Sequence, residues 1–466
     1  MDEVEVVAQL VAKARAAQAI VDRYDQSHTD RVCAAAAWAI MEPARNRSLA
    51  ELAVNDTGLG NVPDKIQKNY RKTLGLMRDL HGAKSVGVIS ENAETGITEI
   101  ARPAGVVGAI TPSTNPGATP ANMIINAMKG RNAIILAPSP KGYSTAALLL
   151  QYVHAEFDRI GAPHDLVQLL PSPVTKASTY ELLRQVDLVV ATGSQANIHA
   201  AYSSGTPAFG VGAGNVAVIV DASADATAAA ERIVRSKIFD NATSCSSENS
   251  MVVVDDIYPA MIAAMEAHGC LLLNDAEKVQ LQGVMFPARK LSPAVTAKSA
   301  SQIARLAGID RASGARVLMV TETGTGDEFP FSGEKLSPVL TVYRAPDFDA
   351  ACQLVGDIYA FQGAGHSVGI HASPARADEL ALQIGLSLPV SRVIVNQAHC
   401  IATGGSFDNG LPFSLSMGCG TWGGNSFSDN LTYRNFLNIT RIARSIAERL
   451  PNDAELFADY FAHVAK

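Results

Sequence analysis

Cys245 is the residue best placed to do covalent chemistry in this chain. It lies in NATSCSSENS (241–250), among Thr243, Ser244, Ser246, Ser247 and Glu248, just ahead of the apolar run Met251-Val252-Val253-Val254. A thiolate is a nucleophile, and polar surroundings keep it accessible. Two readings stay open here: a nucleophile on a loop in front of a buried strand, or an inert buried thiol. The polar neighbours speak for the first. Cys33, Cys270 and Cys352 sit in alanine-rich or apolar settings and read as core, whereas Cys400 and Cys419 lie in a glycine-rich stretch and are not excluded. No Cys/His spacing suits a metal site, so no metal is expected.

Three other stretches read as turns, two of them with polar side chains. TPSTNP (111–116) follows the strand-like GVVGAI (105–110) and precedes ANMIINAMKG. It offers Ser113, Thr114 and Asn115 at the carboxyl end of a sheet, where ligands bind. An amide there can stabilise an oxyanion, though an ordinary Asn-Pro turn reads the same way. ATGSQANI (191–198) has the order strand, glycine turn, helix, which can face backbone N–H groups toward a phosphate or a nicotinamide. The run Gly210-Val-Gly-Ala-Gly214 resembles a dinucleotide fingerprint in composition only. It precedes a strand and does not open a helix, so it reads as a tight connection.

The elements that must hold these turns follow from periodicity. Residues 4–24, 29–54 and 65–80 read as helices, with Pro43 breaking or kinking the second. From residue 105, short β-branched runs alternate with amphipathic segments: strands at 105–110, 132–137, 166–170, 187–192 and 215–221, then 251–255, 317–322, 338–345, 367–372 and 392–396. This alternation predicts parallel sheets with helices on both faces. The expected domains are 1–238, 239–426 with the cysteine, and a returning segment 427–466. Residues 85–103 read as a hairpin arm.

The 466 residues can bury a large core. With 47% hydrophobic and 18% charged residues and a net charge of −7, a nucleic-acid partner is not expected. The start, MDEVEVVAQL, is acidic and unlike a signal peptide. No stretch reads as a membrane span, and six scattered cysteines do not read as a disulfide framework. A cytoplasmic setting is expected.

Taken together, GVVGAITPSTNP, RNAIILAPSPKG, DLVVATGS, PAFGVGAGN, KIFDNATSCSSENSMVVVD, EKLSPVL, RVIVNQ and MGCGTWGGNS resemble the aldehyde dehydrogenase superfamily, in its CoA-acylating branch. The fold implied is α/β, with two doubly wound parallel-sheet domains and a small oligomerisation arm. The resemblance implies that Cys245 attacks an aldehyde to form a thiohemiacetal and then a thioester. The oxyanion would be held by the Cys245 N–H and by Asn115. Thr111, Pro112, Ser139, Lys141, Thr192, Gly193, Ser194, Gly210 and Glu334 fall at cofactor positions. Thr114, Ser244, Ser246, His399 and Thr403 fall at substrate positions.

Two departures from the family pattern bear on the reaction. Hydrolytic members carry a glutamate where this chain has Gly210. Without that base, water attack on the thioester should be slow, and coenzyme A becomes the expected acceptor. Near APSPKG no carboxylate is evident and Lys141 stands in its place, so NADP is expected beside NAD. Within the branch the chain resembles acylating sulfoacetaldehyde dehydrogenases, on its N-terminal helices and the loop NQAHCIATGGSFDNG (396–410), with Arg392 adjacent. Acetaldehyde and succinic semialdehyde stay open as substrates, as does a cysteine acyltransferase without redox chemistry. A homodimer or homotetramer is implied.

Overall fold

The computed structural model describes residues 2–212 and 214–464. Four helices open the chain: α1 (Glu3–Val21), α2 (Gln26–Met41), α3 (Pro43–Thr57) and α4 (Val62–Leu80). Pro43 separates α2 from α3 as the sequence predicts. Glu42 before it is extended (φ −56°, ψ 126°), because proline's ring excludes the helical region from its predecessor.

Two strands then pair as an antiparallel hairpin, β1 (Gly87–Asn92) and β2 (Ile97–Pro103). The first parallel sheet follows: β3 (Val106–Thr111), β4 (Ala133–Pro138), β5 (Val167–Leu169), β6 (Leu188–Thr192) and β7 (Ala208–Val211), in the order β5-β4-β3-β6-β7. Between these strands lie α5 (Ala118–Lys129), α6 (Tyr143–Ile160), α7 (Lys176–Gln185) and α8 (Gln195–Tyr202). All six residues of β3 and of β4 are buried, as expected when helices cover both faces of a parallel sheet.

The second sheet takes β8 (Val216–Val220), β9 (Glu248–Val254), β10 (Cys270–Leu272), β11 (Val317–Thr321), β12 (Val339–Ala345), β13 (Val368–His371) and β14 (Val393–Val395), in the order β10-β11-β12-β9-β8-β13-β14. This corrects the sequence expectation of a boundary at 238/239. β8 pairs with β9 and β13, and α9 (Ala226–Ile238) packs Ala229, Ala230, Ile233 and Val234 into the same core as β9. The change of sheet therefore falls between β7 and β8. Gly210 lies inside β7, and the glycine run carries the chain from one sheet to the other. β15 (Leu437–Ala443) returns to pair with β2, making a three-stranded sheet β1-β2-β15.

Candidate active site

Cys245 sits three residues ahead of β9, near the centre of the second sheet. The segment before it is unusual: Asp240, Asn241 and Ala242 have φ of 50°, 51° and 57°. Left-handed backbone costs an L-residue roughly 1–2 kcal/mol, so three in succession need firm anchors. The Asp240 side chain supplies them. Its Oδ2 accepts from Lys65 Nζ at 3.0 Å, Lys68 Nζ at 2.5 Å and Thr243 Oγ1 at 2.7 Å, and its Oδ1 accepts from the Asn61 N–H at 3.0 Å. Burial would raise the Asp240 carboxyl, but Lys68 and Lys65 outweigh it and hold the group below the usual carboxylate range.

Lys65, Lys68 and Lys72 are spaced three and four apart on α4 and so share one face. Burial pulls Lys65 down to about 8, against the opposing charge of Asp240. The third proton of Lys68 goes to Asn115 Oδ1, at 2.9 Å. An ammonium only donates, so the carbonyl of the Asn115 amide must face Lys68. Its Nδ2 is left as a donor on the opposite side. Thr243 and Asn115 thus share one lysine, which ties the turn after β3 to the loop that carries the cysteine.

The other flank of Cys245 is built from histidines. Cys245 Sγ lies 3.5 Å from His366 Nε2. His366 Nδ1 lies 2.7 Å from Ser367 Oγ, which lies 2.9 Å from His399 Nε2. Burial, with a smaller contribution from Arg392, pushes His366 down to about 3, so the ring is neutral at physiological pH. His399 is pushed well below the ordinary histidine value by burial, with smaller contributions from His366, His371 and Arg392. Burial likewise pushes the Cys245 thiol up, with Glu334 and Cys419 adding to the effect and Arg392 opposing it.

Arg392, adjacent to the loop 396–410 in sequence, has its donors engaged by protein. It donates to the carbonyls of His366, Gly418 and Ser428 and to Asn430 Oδ1, and it is 6% exposed. Its role is to lock the glycine-rich region 411–430 onto the His366 turn.

The remaining sequence candidates fall into three groups. Thr111 is buried with Oγ1 unpartnered, and Glu334 Oε1 is also buried without a partner. Burial raises Glu334 to about 8, against a hydrogen bond from the Gly214 N–H. Two orphaned polar atoms, a hydroxyl and a carboxyl oxygen, at positions that the resemblance gives to a nucleotide fit a ligand that would hydrogen-bond there. Pro112 and Ser139 are half-buried, the Ser139 N–H donating to the Thr111 carbonyl at 3.0 Å, and Lys141 is exposed. Thr192 Oγ1 pairs with Ser416 Oγ at 2.6 Å. Ser194, after Gly193, caps α8.

A second group lies close to the cysteine. Thr114 offers its carbonyl to Lys65, and Ser244 and Ser246 share a hydrogen bond of 2.7 Å. The third group is internal. His399 and Thr403 are buried, and the Thr403 hydroxyl donates to the His399 carbonyl. These two stand behind the His366 turn, packed against protein. Gly210 has no room for a side chain, since a Cβ would meet Ile198 Cγ2 at 2.8 Å. In the same run it is Gly214 that abuts Cys245, where a Cβ would stand 2.5 Å from the Cys245 carbonyl oxygen.

Sequence reasoning missed His366, Ser367, Lys65, Lys68 and Asp240. A signal existed for His366: AGHSVGIHA places it one residue before a strand, at the same sheet end as NATSCSS. It missed Asp56 too. From α3 this carboxylate accepts from Ser144 and from Thr145, the latter at 3.0 Å. The APSPKG turn therefore does have a carboxylate nearby, contributed from elsewhere in the chain. Among the described residues no group of side chains could hold a metal ion.

Comparison with known proteins agrees with this architecture. The aldehyde dehydrogenase family profile matches residues 2–341. A sulfoacetaldehyde dehydrogenase (acylating) of Cupriavidus necator is 65% identical over 99% of this chain and 94% of its own length. One of the same description from Bilophila wadsworthia is 41% identical over 99% of this chain and 100% of its own. The crystal structure of an acetylating aldehyde dehydrogenase from Geobacillus thermoglucosidasius superposes with a TM-score of 0.92 at 35% identity, covering 97% of this chain and 98% of the other. On the family profile, the relatives and the shared fold, this chain belongs to the aldehyde dehydrogenase family.

Proposed function

We propose that the chain oxidises sulfoacetaldehyde to sulfoacetyl-CoA through a thioester on Cys245. The observation that carries the chemistry is the thiol of Cys245, 3.5 Å from a neutral, buried histidine and linked through Thr243 and Lys68 to the Asn115 amide. The substrate rests on the 65% identical relative.

The Cys245 thiolate attacks the aldehyde carbon, a C–S bond forms, and the carbonyl electron pair moves onto oxygen. Asn115 Nδ2 and the Cys245 N–H receive that oxyanion, as preorganised donors do in acyl transfer. When bound, NAD(P) supplies the acceptor for the hydride lost by the thiohemiacetal carbon. Thr111, Thr192 and Glu334 would hold the nucleotide. The thiol of coenzyme A, giving up its proton to solvent, then attacks the thioester as thiolate; the C–S bond to Cys245 breaks, Cys245 leaves as thiolate, and the acyl-CoA departs.

Water is a poor competitor because position 210, where hydrolytic members carry their glutamate, is a glycine packed against Ile198 and Tyr202, so that no base stands there to activate it. Lys141 supports use of NADP, while Asp56 opposes a 2′-phosphate. Asp56→Asn should therefore raise kcat/KM with NADP relative to NAD. The free state of all six cysteines supports a reducing, cytoplasmic setting. The sheet β1-β2-β15, followed by a tail that exposes Leu450, Leu456, Tyr460 and Phe461, supports a homodimer or homotetramer.

The test is nucleotide reduction with sulfoacetaldehyde, with and without coenzyme A. Reduction that requires coenzyme A is the expected result. Turnover without it would make the enzyme hydrolytic. Turnover of acetaldehyde or succinic semialdehyde but not of sulfoacetaldehyde would keep the mechanism and replace the substrate. Acyl transfer with no nucleotide reduction would leave a cysteine acyltransferase.

A further inference from the structure

The chain Cys245–His366–Ser367–His399 has a direction, and one unpartnered atom reveals it. His399 is 1% exposed, and its Nδ1 has no hydrogen-bond partner. A Cβ added to Gly369 would stand 3.0 Å from that nitrogen, so the backbone of β13 covers it with an apolar surface. A neutral imidazole carries one proton, on one nitrogen or the other. A buried N–H with nothing to bond is rarer in proteins than a bare acceptor. The proton of His399 is therefore placed on Nε2, where Ser367 Oγ accepts it.

The remaining roles follow by exclusion. Ser367 has one hydroxyl proton, which it gives to the other hydrogen-bond partner of its Oγ among the described residues, His366 Nδ1. With Nδ1 an acceptor, the single proton of His366 sits on Nε2 and points at Cys245 Sγ. We propose that Ser367 and His399 are positioning residues that fix His366 as a hydrogen-bond donor to the Cys245 sulfur, stabilising its thiolate. When Cys245 ionises, its proton leaves to water and the sulfur accepts the Nε2–H of His366. His366 is thus no base for the Cys245 thiol in the resting enzyme.

The setting explains the need for such a donor. The groups facing Cys245 are Glu334, Cys419 and Arg392. Only Arg392 among these favours a thiolate, and its guanidinium is engaged with carbonyls. Arg392 and His371 face the two histidines, and Glu248 receives the main-chain N–H of His399. None of these occupies His399 Nδ1.

The inference rests on Cys245 as the nucleophile, and one experiment separates the two claims. The full-length protein is alkylated with iodoacetamide across a range of pH, and each cysteine peptide is quantified by mass spectrometry. Cys245 should react ahead of the five others. If it does not, the nucleophile assignment fails. In Ser367→Ala and His399→Leu the inflection for Cys245 should rise by about one pH unit, making alkylation about tenfold slower at neutral pH. Ser367→Thr and His399→Gln, which keep a hydroxyl and a donor, should restore most of it, and kcat should follow while KM for the aldehyde stays constant. A wild-type profile in Ser367→Ala, or identical profiles for His399→Gln and His399→Leu, overturns the proposal.

Discussion

The two sides of Cys245 solve one positioning task with opposite electrostatics. On the α4 side a buried carboxylate, Asp240, binds two buried lysines and pins three left-handed residues. On the β13 side the groups are neutral, and order comes from the direction of hydrogen bonds among two imidazoles and a serine. A buried charge stays ionised only while its partner is present. A buried neutral ring stays neutral because charging it in that place is costly. The ionic side therefore depends on pairing, and the histidine side depends on pH.

Removing the pairing should give the largest change. Lys68→Met strips Asp240 of its nearest cation and Asn115 of its orienting donor. Breaking such a pair costs about 3–5 kcal/mol, and losing one oxyanion donor costs about 10²–10³-fold in kcat. Denaturant unfolding and steady-state rates read the two effects. If Lys68→Met and Asn115→Ala lower kcat independently of one another, the proposed link between these residues is wrong.

Acid should separate the two sides next. His366 and His371, each held at about 3 by burial, have folded values below the unfolded value of about 6.5. Their unfolded forms bind protons first, so stability is full above that value and falls as the pH drops toward 3. At pH 5 each costs about 2 kcal/mol. Asp240 is also depressed, but from an unfolded value of about 3.9, so its contribution persists until the pH falls below that. Unfolding at pH 5 should thus be eased in the wild type, and His371→Leu should resist it. Equal acid sensitivity of wild type and His371→Leu would remove the distinction.

The smallest effect should come from Thr243→Val. It removes one acceptor of Lys68 and one donor to Asp240, and costs about 1–3 kcal/mol, with most of the activity kept. A loss as large as that of Lys68→Met would mean that Thr243, not the lysine, holds the loop.

Much of the scaffold was readable beforehand. The uninterrupted apolar runs at 105–110, 132–137 and 187–192 became strands buried on both faces, and Pro43 divided its helix. The strand 215–221 was found but assigned to the wrong sheet, because parallel strands carry no local mark of the neighbour they will pair with. The family resemblance put His399 and Thr403 at substrate positions, and their burial has no mark in the local sequence. In the fold the loop 396–410 wraps onto the His366 turn.

The sequence by itself determined which segments are strands and helices, and it singled out Cys245, since periodicity and local polarity are properties of neighbouring residues. Only the tertiary structure decided how the thiol is surrounded. Lys68 and Asp240 lie 172 positions apart, and Cys245 and His366 lie 121 apart. A lysine on an amphipathic helix reads as solvated, and a histidine before a strand reads as incidental. Their burial and their partners come from packing two sheets and α4 around one point, which no local pattern encodes.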